Sequence, residues 1–147
     1  MSTFYISEIY KELADHLGQL FLDKNTSDVE IICGERTFDC HQMILSVRSP
    51  VFRAMFQNDM AEKRTNRVEI QDLSEEVVAQ MLRFIYTGSY DLDVNNPDIN
   101  YELLEAAEKY QLELLKKICA NKLKSTLTVE NCVQNLIFAE THRQGDI

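Results

Sequence analysis

Glycine is scarce in this sequence, with four residues in 147. A loop that cradles phosphate groups needs closely spaced glycines, and neither G-x-G-x-x-G nor G-x-x-x-x-G-K-[ST] occurs. The catalytic patterns G-x-S-x-G and H-E-x-x-H are also missing, and the three histidines fall in three different segments. We therefore expect a protein that is not an enzyme and that needs no cofactor.

Basic residues are outnumbered, with 15 Lys and Arg against 24 Asp and Glu, a net charge of −9 and a pI near 4.8. Nucleic acids and anionic membranes bind clusters of Lys and Arg, and the densest basic segment, residues 63–67, is short. No run of 18 apolar residues and no signal-peptide pattern is present. We expect an intracellular protein, in the nucleus, the cytoplasm or both, that binds neither nucleic acid nor membrane.

The four cysteines form no C-x-x-C pair and lie in apolar contexts, at Cys33, Cys40, Cys119 and Cys132. This spacing indicates reduced, buried thiols and no metal site. His41 follows Cys40 directly, but neighbouring residues on a strand point to opposite faces, so a nucleophile and base do not converge there. Asp28, just before an apolar strand, is interpreted as a turn or capping residue, with a hydrogen bond to His41 as the alternative.

What the sequence does contain is a regular apolar pattern, 45% of its residues being apolar. The first segment places its apolar residues on one helical face at steps of three and four: Ile6, Ile9, Tyr10, Leu13, Leu17, Leu20 and Phe21. Two interpretations stay open for this helix. It lies on the core of its own chain, or it presents a surface to a partner helix.

A hairpin and two helical segments follow. Residues 29–32 and 37–38 predict two strands joined by a turn at Gly34-Glu35, and residues 41–47 a helical turn or two. Ser49-Pro50 then begins a helix whose apolar face has Met60 at its edge.

The remaining segments predict a strand at 67–70 and a helix from a Ser74 cap to Gly88. A surface loop at 89–100 has a possible brief strand at 90–92 and ends at an Asn100 helix cap. That helix and the next are expected to divide near Gln111. A last helix starts at Thr128, and the ending at residues 145–147 suggests a piece of a longer protein.

Four motifs in this order resemble the BTB (POZ) domain family: Ser27-Asp28-Val29, Phe38-x-Cys40-His41-x-x-Ile44-Leu45, Ser49-Pro50-Val51-Phe52-x-x-Met55-Phe56 and Phe84-Ile85-Tyr86-Thr87-Gly88. The speckle-type POZ adaptor group is similar in two further runs, Leu13-Ala14-Asp15-x-Leu17-Gly18-x-Leu20 and Asn66-Arg67-Val68-Glu69-Ile70. The resemblance implies an α+β fold, a helical cluster flanked by a small mixed β-sheet, over residues 1–124. It also implies that residues 125–147 start a C-terminal helical extension whose second helix is missing.

The resemblance further implies a homodimeric substrate adaptor that docks a cullin-3 ubiquitin ligase scaffold. The matching dimer positions are Leu13, Leu17, Leu20 and Ile44. The matching positions for the cullin-3 N-terminal region are Phe56, Met60, Glu62 and Tyr110, with Met60-Ala61-Glu62 as the hydrophobic-x-Glu signature after the Ser-Pro helix.

Two alternatives from other functional classes stay open. One is a transcriptional scaffold that binds co-repressor peptides, against which Gln42 counts, because many such relatives carry a Lys there. The other is an oligomerisation module without a ligase.

Overall fold

The structure is a computed structural model that describes residues 3–57, 65–91 and 96–125, with side chains described from Ile6 onward. Its sheet has the strand order β2-β1-β3, where β1 is Val29–Cys33, β2 is Arg36–Cys40 and β3 is Arg67–Glu69. β1 pairs antiparallel with β2 and parallel with β3. Alternate residues of β1 are buried, which fixes the register because a one-residue slip would turn them outward.

Six helices surround this sheet in the described part of the chain: α1 (Thr3–Gly18), α2 (Gln42–Arg48), α3 (Pro50–Gln57), α4 (Glu75–Thr87), α5 (Pro97–Lys109) and α6 (Glu113–Ser125). The α+β class and the helical cluster beside a small mixed sheet are thereby confirmed. None of the described helices is long and apolar enough to cross a membrane.

The predicted starts of α3 and α4 and the predicted end of α4 are confirmed. The Ser49 hydroxyl accepts a hydrogen bond from the Phe52 N–H at the start of α3, and the Ser74 hydroxyl accepts one from Val77 at the start of α4. Gly88 ends α4 with a φ of 76°, the left-handed cap that its position predicted. The division between α5 and α6 falls at Gln111, which has a φ of 55°.

α4 lies at the centre of the core, with 8 of its 13 residues buried. Buried side chains from β1, β2, α3, α5 and α6 surround it. From Ile6 onward, where its side chains are described, α1 contributes none to this buried cluster, although it is one of the longer helices. The described side chains of α1 therefore lie outside the buried core.

The predicted end of the first helix was wrong, because α1 stops at Gly18. The N–H groups of Leu20 and Phe21 donate to the carbonyls of Leu17 and Gly18, three residues back, so the chain tightens into a turn. Both side chains pack against the core, and the Phe21 ring lies 5.1 Å from that of Tyr86. Leu20 is therefore not part of the α1 face.

The predicted start of α5 was also wrong. Asn96 is the cap, accepting hydrogen bonds from Asp98 and Ile99, with Pro97 at the first helical position. Asn100 lies buried inside the helix. Tyr90 and Asp91 are not in a strand, while Leu92 and the predicted helix from Thr128 lie outside the described residues.

Candidate interaction surfaces

The apolar face of α1 is largely uncovered. Ile9, Tyr10 and Leu13 are 51%, 67% and 52% exposed. Only the last turns of the helix approach the rest of the protein, where Leu17 and Gly18 become half-buried. Of the two interpretations of this helix, a partner surface fits its exposed half better than burial within its own chain does.

Exposed apolar side chains continue on α2. Met43 and Val47, one turn apart, are 81% and 79% exposed, whereas Ile44 between them is half-buried against the core. The sequence did not single out these two residues, because four apolar residues among five positions, 43–47, hide which side of a short helix faces outward. Their spacing of four residues is the signal that could have found them.

A recess of about 590 Å³ joins α1 to the neighbouring helices. Leu13 and Leu17 form one wall, Ile85 of α4 and the exposed Leu114 of α6 form others, and Arg48 also lines it. The Arg48 side chain is held by a hydrogen bond of 3.0 Å from its Nε to the Ile85 carbonyl. We call the exposed apolar residues of α1 and α2 together with this recess the α1–α2 face.

The structure thus brings two of the four predicted dimer residues to one surface. Leu13 and Leu17 line the recess, while Leu20 and Ile44 pack inward against the core. The exposed apolar residues of α2 are Met43 and Val47, on either side of the predicted dimer residue Ile44.

The second predicted site follows α3. Met60 and Glu62 lie outside the described residues. Phe56 and Tyr110 are both buried, and their rings lie on either side of the Phe52 ring. The centroid of the Phe52 ring is 6.2 Å from that of Phe56 and 4.7 Å from that of Tyr110. The Phe52 ring is nearly parallel to both. The three rings form one stack that joins α3 to the end of α5, so Phe56 and Tyr110 support this corner from within.

A buried serine fixes the same corner. Ser49 is fully buried, and its hydroxyl donates to the Tyr110 carbonyl at 2.7 Å while accepting from the Phe52 N–H at 3.2 Å. Beside it, Lys109 Nζ lies 2.6 Å from Asp72 Oδ2, and this hydrogen bond lowers the pKa of the Asp72 carboxyl. The ends of α5 and α3 are therefore tied to each other and to the segment before α4.

The His41 and Asp28 side chains have structural partners. His41 Nδ1 lies 2.7 Å from the Tyr86 hydroxyl, and its Nε2 lies 2.7 Å from Thr26 Oγ1. Asp28 accepts the Gln42 N–H at 2.8 Å, so it caps α2, and the alternative hydrogen bond to His41 was wrong. The neighbouring thiol of Cys40 is buried, and desolvation raises its pKa to about 12, which keeps it protonated.

The other described cysteines, Cys33 and Cys119, are also free and buried, as predicted. Cys132 lies outside the described residues. Within residues 3–57, 65–91 and 96–125, no group of three His, Cys, Asp or Glu side chains could hold a metal ion.

The chain resembles solved structures over most of its length. It superposes on the BTB domain of zebrafish PATZ1 with a TM-score of 0.61 at 22% identity, covering 86% of this chain and 97% of that one. The BTB (Tramtrack and Bric a brac) domain of human Gigaxonin gives a TM-score of 0.60 at 19% identity, covering 82% and 92%. The family model of the BTB/POZ domain matches residues 17–127. The chain belongs to the BTB/POZ domain family, whose members are protein-protein interaction modules.

Proposed function

We propose that this domain is a homodimeric adaptor, most similar to the speckle-type POZ group, that docks a cullin-3 ubiquitin ligase scaffold. The observation that carries the dimer is the α1–α2 face, where large apolar side chains are half or more exposed. Exposed large apolar side chains of this kind mark interaction sites.

Self-association accounts for this exposure. In a two-fold dimer each residue of the face is buried twice, once in each subunit. Covering a fully exposed Met or Val side chain contributes roughly 1.5–3 kcal/mol, so Met43, Val47 and the exposed half of Leu13 supply several kcal/mol per subunit. This free energy of burial has to exceed the free-energy cost of the entropy that the two subunits lose on association. Most residues of the α1–α2 face must therefore take part in the dimer.

Sedimentation equilibrium tests the dimer. Leu17→Asp and the more exposed Leu13→Asp should both shift the mass towards the monomer, because each places two carboxylates in an apolar seam. Lys11→Asp is the control, since Lys11 lies on the polar side of α1 about 160° from Leu13 at 100° per residue. A wild-type chain that stays monomeric at high concentration would refute the dimer.

The cullin contact is supported by position and by the rigid corner that precedes it. Met60-Ala61-Glu62 follows α3, whose last turn holds Phe56 in the aromatic stack. A flexible Met side chain suits insertion into an apolar groove, and Glu62 can orient it through hydrogen bonds. In this proposal, Phe56 and Tyr110 act from beneath, by keeping the ends of α3 and α5 in fixed positions.

Calorimetric titration with the cullin-3 N-terminal region tests this contact. Met60→Asp should weaken binding by about a hundredfold, the effect of losing a buried anchor, and Glu62→Ala by roughly tenfold. Glu35→Ala, which removes an exposed Glu at the β1–β2 turn, should leave the affinity unchanged. Equal affinities for all the variants would refute the site assignment.

The titration also separates the alternatives. If the chain forms a dimer but does not bind the cullin-3 fragment, the result supports the alternative of an oligomerisation module without a ligase. The co-repressor scaffold is less favoured, because Gln42 is neutral and its amide nitrogen donates to the Asp28 carbonyl and the Asn66 side chain.

A further inference from the structure

A second cleft lies on the other side of α1 from the α1–α2 face. It has a volume of about 590 Å³ and is bounded by the last turns of α1, the turn after it, β2 and α4. Asp15, which lines it, is about 140° and 160° away from Tyr10 and Leu13 around the helix. Ala14 and Thr87 line both openings, so the cleft adjoins the recess, whereas Leu22, Arg36 and Arg83 line the cleft alone.

Small residues shape the cleft. A Cβ atom added at Gly18 would lie 2.9 Å from the Thr87 methyl group, so α1 and α4 approach closely at this one point. Ala14 and Ala79 line the space beside that contact, where longer side chains would fill it. The gap therefore follows from the choice of residues on the two helices.

Two arginines, Arg36 and Arg83, line the cleft. Among the described residues, neither guanidinium lies within ion-pair distance of a carboxylate, although the chain has 24 acidic residues. Arg36 is instead stacked over the Phe38 ring at 4.7 Å, which holds the guanidinium plane while its edge can still donate hydrogen bonds.

Two carboxylates, Asp15 and Glu76, also line the cleft, and no ion pair joins either of them to Arg36 or Arg83. Glu76 accepts a hydrogen bond of 2.9 Å from the Gln80 amide, and Asp15 lies across the cleft on α1. Arginine is the side chain best suited to binding a carboxylate through two parallel hydrogen bonds. Both guanidiniums therefore keep hydrogen-bond donors that a carboxylate of a ligand could use.

Leu22 adds an apolar contact at the same place. Leu22 lines the cleft and its side chain is 46% exposed. Its backbone has a φ of 68°, and its N–H donates a hydrogen bond of 3.0 Å to the Asp39 carbonyl, which fixes this conformation. The left-handed region is unfavourable for a leucine and is ordinarily filled by glycine or asparagine. A large apolar residue in this conformation gains little from the core, and strained residues of this kind cluster at binding sites.

We propose that this cleft binds a short segment of another protein that carries an acidic residue next to an apolar one. The acidic side chain is placed between Arg36 and Arg83, and the apolar side chain packs on Leu22 and Ala79. The three residues that carry the site, Leu22, Arg36 and Arg83, are not among the proposed dimer or cullin positions.

Selection from a phage-displayed library of random 12-residue peptides on the wild-type protein tests this site. Selected peptides are synthesised and titrated against Arg36→Gln/Arg83→Gln, Leu22→Gly and the control Arg53→Gln, which removes an exposed arginine on α3. We expect peptides that contain Asp or Glu beside an apolar residue. Their affinity should fall about tenfold or more in the double variant, fall less in Leu22→Gly, and stay unchanged in the control.

Thermal unfolding of each variant checks that the fold is kept, and Leu22→Gly should be at least as stable as the wild type because glycine accepts the positive φ. Failure to select any peptide would overturn the proposal. So would peptides that bind the double variant as well as the wild type, or whose binding depends on Leu13 rather than on the arginines.

Discussion

Ser49→Ala should be strongly destabilising, because the serine hydroxyl is the centre of a buried network. It is fully buried, donates to the Tyr110 carbonyl and accepts from the Phe52 N–H. Deleting it leaves each of these groups without that partner, and an unsatisfied buried polar group costs about 1–3 kcal/mol. The free energy of unfolding should fall by about 2–4 kcal/mol in total.

Urea denaturation measures this change. With a slope of about 2 kcal/mol per molar urea, the middle of the usual range, the midpoint should fall by about 1–2 M. The matched control is Ser46→Ala, three residues earlier on α2, which should change the midpoint little because no hydrogen bond of the Ser46 side chain is found with the described residues. A loss below about 0.5 kcal/mol in Ser49→Ala would refute the reasoning, since it would mean that the network contributes nothing net.

Two further predictions follow from single contacts. Gly18→Ala should lower the free energy of unfolding by about 1 kcal/mol, because the new Cβ atom would lie 2.9 Å from the Thr87 methyl group. Adding Thr87→Ser removes that methyl group and should restore the stability. Equal urea midpoints for the wild type and Gly18→Ala would contradict this prediction. Burial raises the pKa of Cys40 to about 12, so the thiol loses its proton more easily in the unfolded chain. The free energy of unfolding should therefore decrease as the pH rises above about 8.5, less so in Cys40→Ala, and identical pH profiles for the two proteins would contradict the burial.

The elements with a local signal were predictable from the sequence. Ser74 and Gly88 bound α4 because a hydroxyl cap and a left-handed glycine are properties of single residues. Strand β1 followed from β-branched residues beside a Gly34-Glu35 turn. The family resemblance agreed with this order of elements and with the fold.

Positions that depend on tertiary contacts were not predictable in the same way. Leu20 continues the helical period of α1, yet the chain turns after Gly18 because Phe21 packs on Tyr86. Asn96 and Asn100 are both good caps by composition, and the local signal that favours Asn96 is Pro97 at the first helical position, which the prediction overlooked. Phe56 matches the expected cullin position, but its burial depends on a stack with Phe52 that periodicity cannot show.

Light scattering on the purified chain mixed with the cullin-3 N-terminal region tests the adaptor proposal most directly. The chain alone should give twice its mass of 17.1 kDa, and the mixture should give a complex of two chains with two cullin fragments. A mass of one chain, alone and in the mixture, would contradict both the dimer and the scaffold contact.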